Sequence, residues 1–409
     1  MKLFPHSLKG AVMAVPSKSY AHRMLIWAAL SGGSVYYGKS DDAYLTAQGL
    51  ASLGFSADFA DNSVNYKGFS RPETAQKVFV GESGSTLRFL LPLAAALGVS
   101  ATFETAGRLG ERPMDALTTS LCAHGVTATA HGVCGALKSG SFELDATVSS
   151  QFVTGLLMSL PILKGDSEIV LLGRAVSAPY IDITLDVLSR AGIEVRRTDK
   201  GFFVPGGQKY EKTQTSVPGD FSGAAFPLVA GALGGKVTVE GLDLSSKQGD
   251  KAIVDALRLF GADVEINGDK ISVEKKETNA FCIDVGETPD LAPILSVLAA
   301  FANGASVLKS VSRLRDKESD RLFAIEEMLG GAGIETKEEG DSLVVVGGKP
   351  HGAAFRSFSD HRMAMSEAIL ASYATGQSEV DDFLCVKKSY PEFWQDYSAL
   401  GGQYEVERG

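Results

Sequence analysis

Six times along the chain a glycine is followed by a short, alternating, β-prone run. These runs are Gly33 (GSVYYG), Gly98 (GVSATFET), Gly165 (GDSEIVLLG), Gly235 (GKVTVEG), Gly304 (GASVLKS) and Gly376 (GQSEVDD). They stand about 65 to 72 residues apart, a fixed period of the kind that marks repeated supersecondary units. Six such units use up nearly all of the 409 residues. Each copy has the same inner order: strand, polar segment, helix-like stretch, glycine, second strand. Residues 181–198 (IDITLDVLSRAGIEVRRT), 251–267 and 322–339 show it well. Their Leu, Ile and Val recur at three- and four-residue steps, which gives one apolar helix face. The glycine that follows supplies a left-handed cap.

Before each strand lies a second, more apolar helix. An example is STLRFLLPLAAALG before Gly98, and another is FSGAAFPLVAGALGG before Gly235. A helix apolar nearly all round is buried. One unit is therefore strand–helix–strand–helix with extra strands, an α/β arrangement. Six units group as three and three into two similar domains, with a boundary near residues 217–219.

Each buried helix also begins with a polar cluster. The clusters are Ser17-Lys18-Ser19 with Arg23, Glu82-Ser83-Gly84-Ser85-Thr86 with Arg88, Ser149-Ser150-Gln151, Asp220-Phe221-Ser222, Thr288-Pro289-Asp290, and Ser359-Asp360-His361-Arg362. Ser, Thr and Asp there are first of all caps for free backbone N–H groups. Capping does not account for Lys18, Arg23, Arg88, His361 and Arg362, whose charge opposes the helix dipole. A bound anion reverses that sign, because N–H groups and cations then act together. Two facing domains would line a cleft with such sites, for substrates carrying phosphate and carboxylate groups. The plainer reading of any one of these residues is a basic helix end paired with a surface carboxylate.

The net charge of −10 disfavours a partner gripped by its phosphate backbone, so no nucleic acid is expected. Cys122, Cys134, Cys282 and Cys385 lie far apart without a Cys-x-x-Cys pair, so a metal knuckle is not expected. The first residues lack the apolar core of a signal peptide, and no apolar run reaches membrane-spanning length. A soluble, cytoplasmic protein without a membrane partner is expected.

Two features read as bland. Residues 33–40 match the phosphate-loop pattern G-x-x-x-x-G-K-[ST], but Val35-Tyr36-Tyr37 fills the slot that is a strand in every other copy. The run at residues 313–321 is first a solvated face, although Lys317 and Arg321 form an i, i+4 pair with Glu318 beside them.

Seven segments in order carry a resemblance over essentially the whole chain. They are PSKSYAHR (16–23), GERPM (110–114), SSQFVTGLLM (149–158), SAPYIDIT (177–184), DKESDRL (316–322), SDHRMAM (359–365) and CVKKSYPEFW (385–394). The chain resembles the 5-enolpyruvylshikimate-3-phosphate synthase family. The resemblance implies two domains of three βαβαββ units each, the inside-out α/β barrel of the enolpyruvyl transferases, with a cleft between them. It implies a first domain at 18–217 and a second at 1–17 plus 218–409. It implies addition–elimination between phosphoenolpyruvate and shikimate 3-phosphate with release of phosphate. No metal or organic cofactor is implied, and the expected partners are these two small molecules, with the chain a monomer.

By the resemblance, Ser149, Ser150 and Ser177 bind the shikimate phosphate, with Tyr180 and Lys317 close by. Lys18, Ser19 and Arg23 hold shikimate 3-phosphate, and Gln151 touches both substrates. Lys18, Arg112, Arg321, Arg362 and Lys388 surround phosphoenolpyruvate, and the Gly84 backbone approaches it. Asp290, which also contacts shikimate 3-phosphate, is the implied base. Glu318 is the implied proton donor, with Lys18 and His361 sharing proton work. Gly84 leaves room that Ala would fill, which implies sensitivity to the inhibitor glyphosate. Because binding groups come from both domains, closure on ligand is expected.

Two positions depart from the family pattern. Glu82 stands where an Asn is usual, which puts a carboxylate near an anionic substrate, and no Asn aligns near Arg313. Three rival readings remain. The sister transferase acting on UDP-N-acetylglucosamine typically carries a reactive Cys in the loop at residues 106–113, and this chain has none there. A nucleotide-binding switch would use the Gly33 loop and Lys39. An inactive binding module would keep the fold, against which the intact Lys18, Arg112, Asp290, Glu318, Arg321, Arg362 and Lys388 argue.

Overall fold

The computed structural model describes residues 1–145, 147, 149–173 and 178–406. Each copy of the sequence repeat becomes one four-stranded sheet with its two helices, and there are six such sheets. In the copy around Gly98, the strand Gln76–Gly81 runs parallel to Ala101–Thr105. Ala101–Thr105 lies antiparallel to Gly132–Gly135, which pairs antiparallel with Val126–Thr129. The βαβαββ order follows directly: a helix is needed to bring two strands parallel, while a tight turn suffices for the antiparallel pair. Among the described residues all six sheets are open and mixed, and none closes on itself.

The chain divides into two compact units, Lys18–Val217 and Met1–Ser17 with Pro218–Gly409. The unit at Lys18–Val217 carries helices α1 (Lys18–Ser31), α2 (Asp41–Ser52), α3 (Gly84–Leu97), α4 (Asp115–Cys122), α5 (Ser150–Ser159) and α6 (Ala178–Arg190). The other carries α7 (Phe221–Gly234), α8 (Ile253–Phe260), α9 (Ala292–Ala300), α10 (Arg321–Gly331), α11 (His361–Tyr373) and α12 (Phe393–Ala399). No described helix is long and apolar enough to cross a membrane.

Odd- and even-numbered helices differ as their patterns predict. In α7 every residue but the last is buried, and in α9 every residue is. In α8, Ile253, Val254, Ala256, Leu257 and Phe260 are buried, while Leu259 stays exposed on the opposite side. Gly192, Gly261 and Gly333 follow the amphipathic helices with φ of 73°, 97° and 78°, the left-handed conformation that ends them.

Each unit is completed by a strand from the far end of its own stretch of chain. Gln214–Ser216 pairs parallel with Ser34–Tyr36. Gly10–Met13 pairs parallel with Lys236–Glu240, and Lys2–Phe4 lies between Ser378–Val380 and Gln403–Glu405. The two segments at the unit boundary run side by side: Ser17 N–H donates to Pro218 O at 2.8 Å and Asp220 N–H to Val15 O at 2.8 Å. Regular strand occupies residues 34–36, and the side chain of Lys39 is exposed, so residues 33–40 do not form the irregular loop a nucleotide phosphate needs.

Candidate active site

In the unit Lys18–Val217 the helices α1, α3 and α5 bring their N-terminal ends together. Gly155 sets the spacing of two of them. A side chain there would strike the Arg88 carbonyl of α3, so glycine lets α5 lie directly against that backbone. One turn earlier on α5, Gln151 then meets α3. Its Oε1 accepts from Arg88 Nη1 at 2.7 Å, and its Nε2 donates to Ser85 Oγ at 2.9 Å. Arg88 is buried, lies 5.1 Å from the Phe152 ring centre and also donates to Pro113 O. Burial and the neighbouring Arg112 lower its pKa to about 9, which still leaves it charged at neutral pH. Arg88 is therefore an internal clamp that orients Gln151.

Arg23 ties α1 to α5 and α6. Its guanidinium donates to Thr184 Oγ1 at 2.8 Å, Thr154 Oγ1 at 3.2 Å, Tyr180 O at 2.9 Å and Ser19 O. Burial lowers its pKa to about 9, partly offset by Tyr180 and Tyr20. These partners are hydroxyls and carbonyls, so they satisfy its N–H groups without cancelling its charge. Beside it, Lys18 Nζ donates to Asp42 at 3.0 Å. Asp42 is buried at the start of α2 and is a residue the sequence reading missed. Ser149 caps α5 by accepting from Gln151 N–H at 3.2 Å, with Ser150 buried beside it. His22 is buried, bonds Thr46 Oγ1 at 2.7 Å, and has its pKa pushed well down by burial, Lys18 and Arg23, so it is neutral. Ser177 lies outside the described residues.

Gly84 opens α3 where Arg112 passes. A Cβ there would stand 2.8 Å from Arg112 Nη1. Glu82, the departure from the family pattern, turns its carboxylate toward the backbone of Gly107, where a side chain would meet Oε1 at 2.5 Å.

In the other unit the run at residues 313–321 divides in two. Arg315 is exposed and pairs with Glu338 and Asp320, the solvated half. Arg321 is buried, and Lys317 and Glu318 are half-buried. Asp320 accepts from Phe323 N–H at 3.0 Å and starts α10 at Arg321. Lys317 precedes that cap in extended backbone, which corrects the sequence reading: Lys317 and Arg321 share no helix and form no helical i, i+4 pair.

Arg321 bridges two carboxylates. Nε donates to Asp360 at 2.8 Å and Nη1 to Asp290 at 2.7 Å. Arg362 Nη2 reaches the other oxygen of Asp290 at 3.2 Å. Burial opposes the charge of both arginines, but the surrounding carboxylates outweigh it and their pKa values are raised. Arg362 keeps Nε and Nη1 buried with no hydrogen-bond partner among the described residues. Donors of that kind are costly to leave unpaired, and an anion satisfies them.

Asp360 caps α11 through Arg362 N–H at 2.9 Å, and Ser319 Oγ also donates to it, at 3.1 Å. It follows Phe358 and Ser359, with φ of 53° and 54°, a strained pair just ahead of His361. His361 Nδ1 lies 3.0 Å from Glu318 Oε2, Lys388 Nζ lies 3.9 Å from the same oxygen, and Lys388 donates to Ser359 O at 2.8 Å. Glu318, Asp360 and His361 bring three possible metal ligands within 4.8 Å of one another. Arg321 donates to Asp360 at 2.8 Å and Lys388 Nζ stands 3.9 Å from Glu318, so cations of the protein face both carboxylates of this group.

The EPSP synthase (3-phosphoshikimate 1-carboxyvinyltransferase) family model matches residues 4–397. A 3-phosphoshikimate 1-carboxyvinyltransferase of Clostridium kluyveri is 41% identical, covering 98% of this chain and 97% of that protein. One from Clostridium acetobutylicum is 38% identical with the same coverage, 98% and 97%. A solved structure of EPSP synthase from Acinetobacter baumannii superposes with a TM-score of 0.81 at 23% identity, covering 98% and 97% of the two chains. With a family match across nearly its whole length and a fold shared with a solved EPSP synthase, this chain belongs to the EPSP synthase family.

Proposed function

We infer that the protein transfers the enolpyruvyl group of phosphoenolpyruvate to the 5-hydroxyl of shikimate 3-phosphate and releases phosphate. The observation that carries this is Arg362, whose buried Nε and Nη1 have no hydrogen-bond partner among the described residues, set beside Asp290 and Arg321, in a chain of this family. Two multiply charged anions must be held together, and that needs fixed cations with donors to spare.

In this reading Ser149, Ser150 and Ser177 take the shikimate phosphate at a helix start, with Lys18, Ser19, Arg23, Tyr180 and Lys317 around the rest. Arg112, Arg321, Arg362 and Lys388 hold phosphoenolpyruvate, and Gln151, oriented by Arg88, touches both. The 5-hydroxyl oxygen attacks C2 of phosphoenolpyruvate and gives its proton to Asp290. C3 takes a proton from Glu318, which becomes a carboxylate held 3.0 Å from His361 Nδ1. The tetrahedral intermediate then breaks its C–O bond to phosphate. The new methyl group returns a proton to Glu318, and phosphate leaves with the proton that Asp290 took, helped by the cations. Glyphosate, itself an anion, is the expected competitor for the phosphoenolpyruvate groups.

Phosphate release by the purified protein tests this. Release is expected with shikimate 3-phosphate and not with UDP-N-acetylglucosamine. Asp290→Asn and Glu318→Gln are each expected to lower kcat by ~100-fold or more with folding retained. Release with the sugar nucleotide alone would overturn the acceptor assignment.

A further inference from the structure

His22 lies on α1 between Lys18 and Arg23, yet its hydrogen bond goes to neither. Nδ1 lies 2.7 Å from Thr46 Oγ1 on α2, and the ring meets Phe89 of α3 edge to face at 6.0 Å. Thr46 Oγ1 in turn lies 2.6 Å from Thr86 Oγ1 on α3. The Thr86 hydroxyl donates to Ser83 Oγ at 2.8 Å, and Thr86 N–H donates to the same oxygen at 3.4 Å. Ser83 is the residue that caps α3. His22, Thr46, Thr86 and Ser83 are all buried, so α1, α2 and the start of α3 are joined by one chain of polar groups shielded from water.

The chain has a direction, and it can be derived from either end. Each hydroxyl has a single hydrogen to give. Thr86 gives its own to Ser83, so it accepts from Thr46. Thr46 then has none left and accepts from His22, which places the imidazole hydrogen on Nδ1. The Asp42 carbonyl also lies near both threonine hydroxyls, but at 3.3 and 3.4 Å, longer than the contacts between side chains. From the other end, burial with Lys18 and Arg23 nearby keeps the ring neutral, so only one of its nitrogens carries hydrogen. His22 Nε2 is buried with no hydrogen-bond partner among the described residues. A buried N–H without an acceptor is rarer than a buried lone pair without a donor, so Nε2 is the bare nitrogen.

We propose that His22 is a positioning residue for the phosphoenolpyruvate side of the site, acting through Thr46 and Thr86 on the Ser83 cap of α3. Its effect on the reaction rests on the enolpyruvyl transfer inferred above. Ser83 directly precedes Gly84, which packs against Arg112, and Ser85, whose hydroxyl receives the Gln151 amide at 2.9 Å. A cap that accepts two bonds holds that first turn in place. Were the hydrogen on Nε2, the chain would run the other way. Thr46 would then give its hydrogen to His22 and Thr86 would give its own to Thr46. Ser83 would keep only the 3.4 Å bond from the Thr86 backbone.

Nitrogen NMR of the full-length protein with isotope-labelled histidine reads the direction. The chain has six histidines, and the signal lost in His22→Asn is that of His22. Its hydrogen is expected on Nδ1, and a hydrogen on Nε2 would overturn the proposal. That reading stands whatever reaction the protein catalyses, so a wrong reaction and a wrong relay are told apart. Steady-state kinetics read the effect. His22→Leu is expected to raise KM for phosphoenolpyruvate by about tenfold and to move KM for shikimate 3-phosphate by less than about twofold. Lys18 and Arg23 flank His22, so mere loosening of α1 would move both, and equal shifts would overturn the relay. Thr86→Val breaks the chain at another link and is expected to act like His22→Leu. The double variant should be no worse than either single one, because both cut the same chain. His22→Asn offers an amide N–H in place of Nδ1–H and should bring KM back to within about threefold of the native value. An unmoved KM in both single variants, additive effects in the double variant, or no recovery in His22→Asn would each overturn the proposal.

Discussion

Gly84 and Asp250 show how single residues set the chemistry without performing it. At Gly84 an added methyl would meet the far end of Arg112, at 2.8 Å from Nη1. That end is flexible, so Arg112 shifts rather than the helix. Gly84→Ala is therefore expected to raise KM for phosphoenolpyruvate by roughly tenfold, weaken glyphosate inhibition at least as much, and leave the melting temperature nearly unchanged. Initial-rate kinetics with and without glyphosate check this, and unchanged inhibition would count against it. Asp250 is buried and accepts from Ser222, while its other oxygen has no partner among the described residues. Burial first and then the charge of Asp290 push its pKa up to about 7, against the pull of Arg362. A carboxyl with a raised folded-state pKa binds its proton in the native state after the unfolded chain has lost it. Its contribution to stability is thus fully present below about pH 4 and is lost as pH rises through about 7. Asp250→Asn should remove that loss, gaining on the order of 1–3 kcal/mol over the native protein between those limits. Urea midpoints across the range would reveal it, and parallel curves would refute it.

Helix starts are the elements on which the site is built, and they were largely visible in the sequence. The polar clusters at Lys18, Ser149 and Asp360 do stand at helix N-termini, because capping is a local demand that a few neighbouring residues satisfy. Partners across elements were not visible. Asp42 reads as an ordinary acidic residue in the first turn of α2, yet it is the carboxylate beside Lys18. Asp360 reads as a cap, yet it also anchors Arg321. The supposed helical pairing of Lys317 with Arg321 failed because Asp320 captures the helix start between them. If α2 positions Lys18 through Asp42, Asp42→Asn should lower kcat/KM by about tenfold with helix content retained. Circular dichroism beside steady-state kinetics separates this from simple unfolding, which would lower both together.

At the scale of the molecule, each unit has its own apolar core and its own tryptophan. Trp27 is buried in the unit Lys18–Val217 and donates to Glu211 O at 2.7 Å. Trp394 is buried in the other unit and donates to Phe383 O at 2.8 Å. The chain has only these two tryptophans, so Trp27→Phe and Trp394→Phe leave one reporter per unit. Separate cores make independent unfolding the expectation. Urea melts of the two variants should give different midpoints without ligand. Shikimate 3-phosphate should raise the midpoint of the Trp27 unit, where Lys18, Ser19, Arg23 and the serine pair lie, by mass action. Coincident midpoints with and without ligand would show one cooperative unit instead.

The sixfold period, the burial of one helix per copy, the amphipathic face of the other and the glycine caps could all be read from residues alone. They depend on neighbours within a turn or two along the chain, and such neighbours are written in order. The meeting of Asp290 with Arg321 and Arg362, of Glu318 with His361, and of Gln151 with Arg88 could not. These groups come from different repeats, and charge acts through space whatever the separation along the chain. Only once the repeats pack does it emerge that Arg88 turns inward to hold an amide, while Arg362 keeps Nε and Nη1 without a hydrogen-bond partner among the described residues.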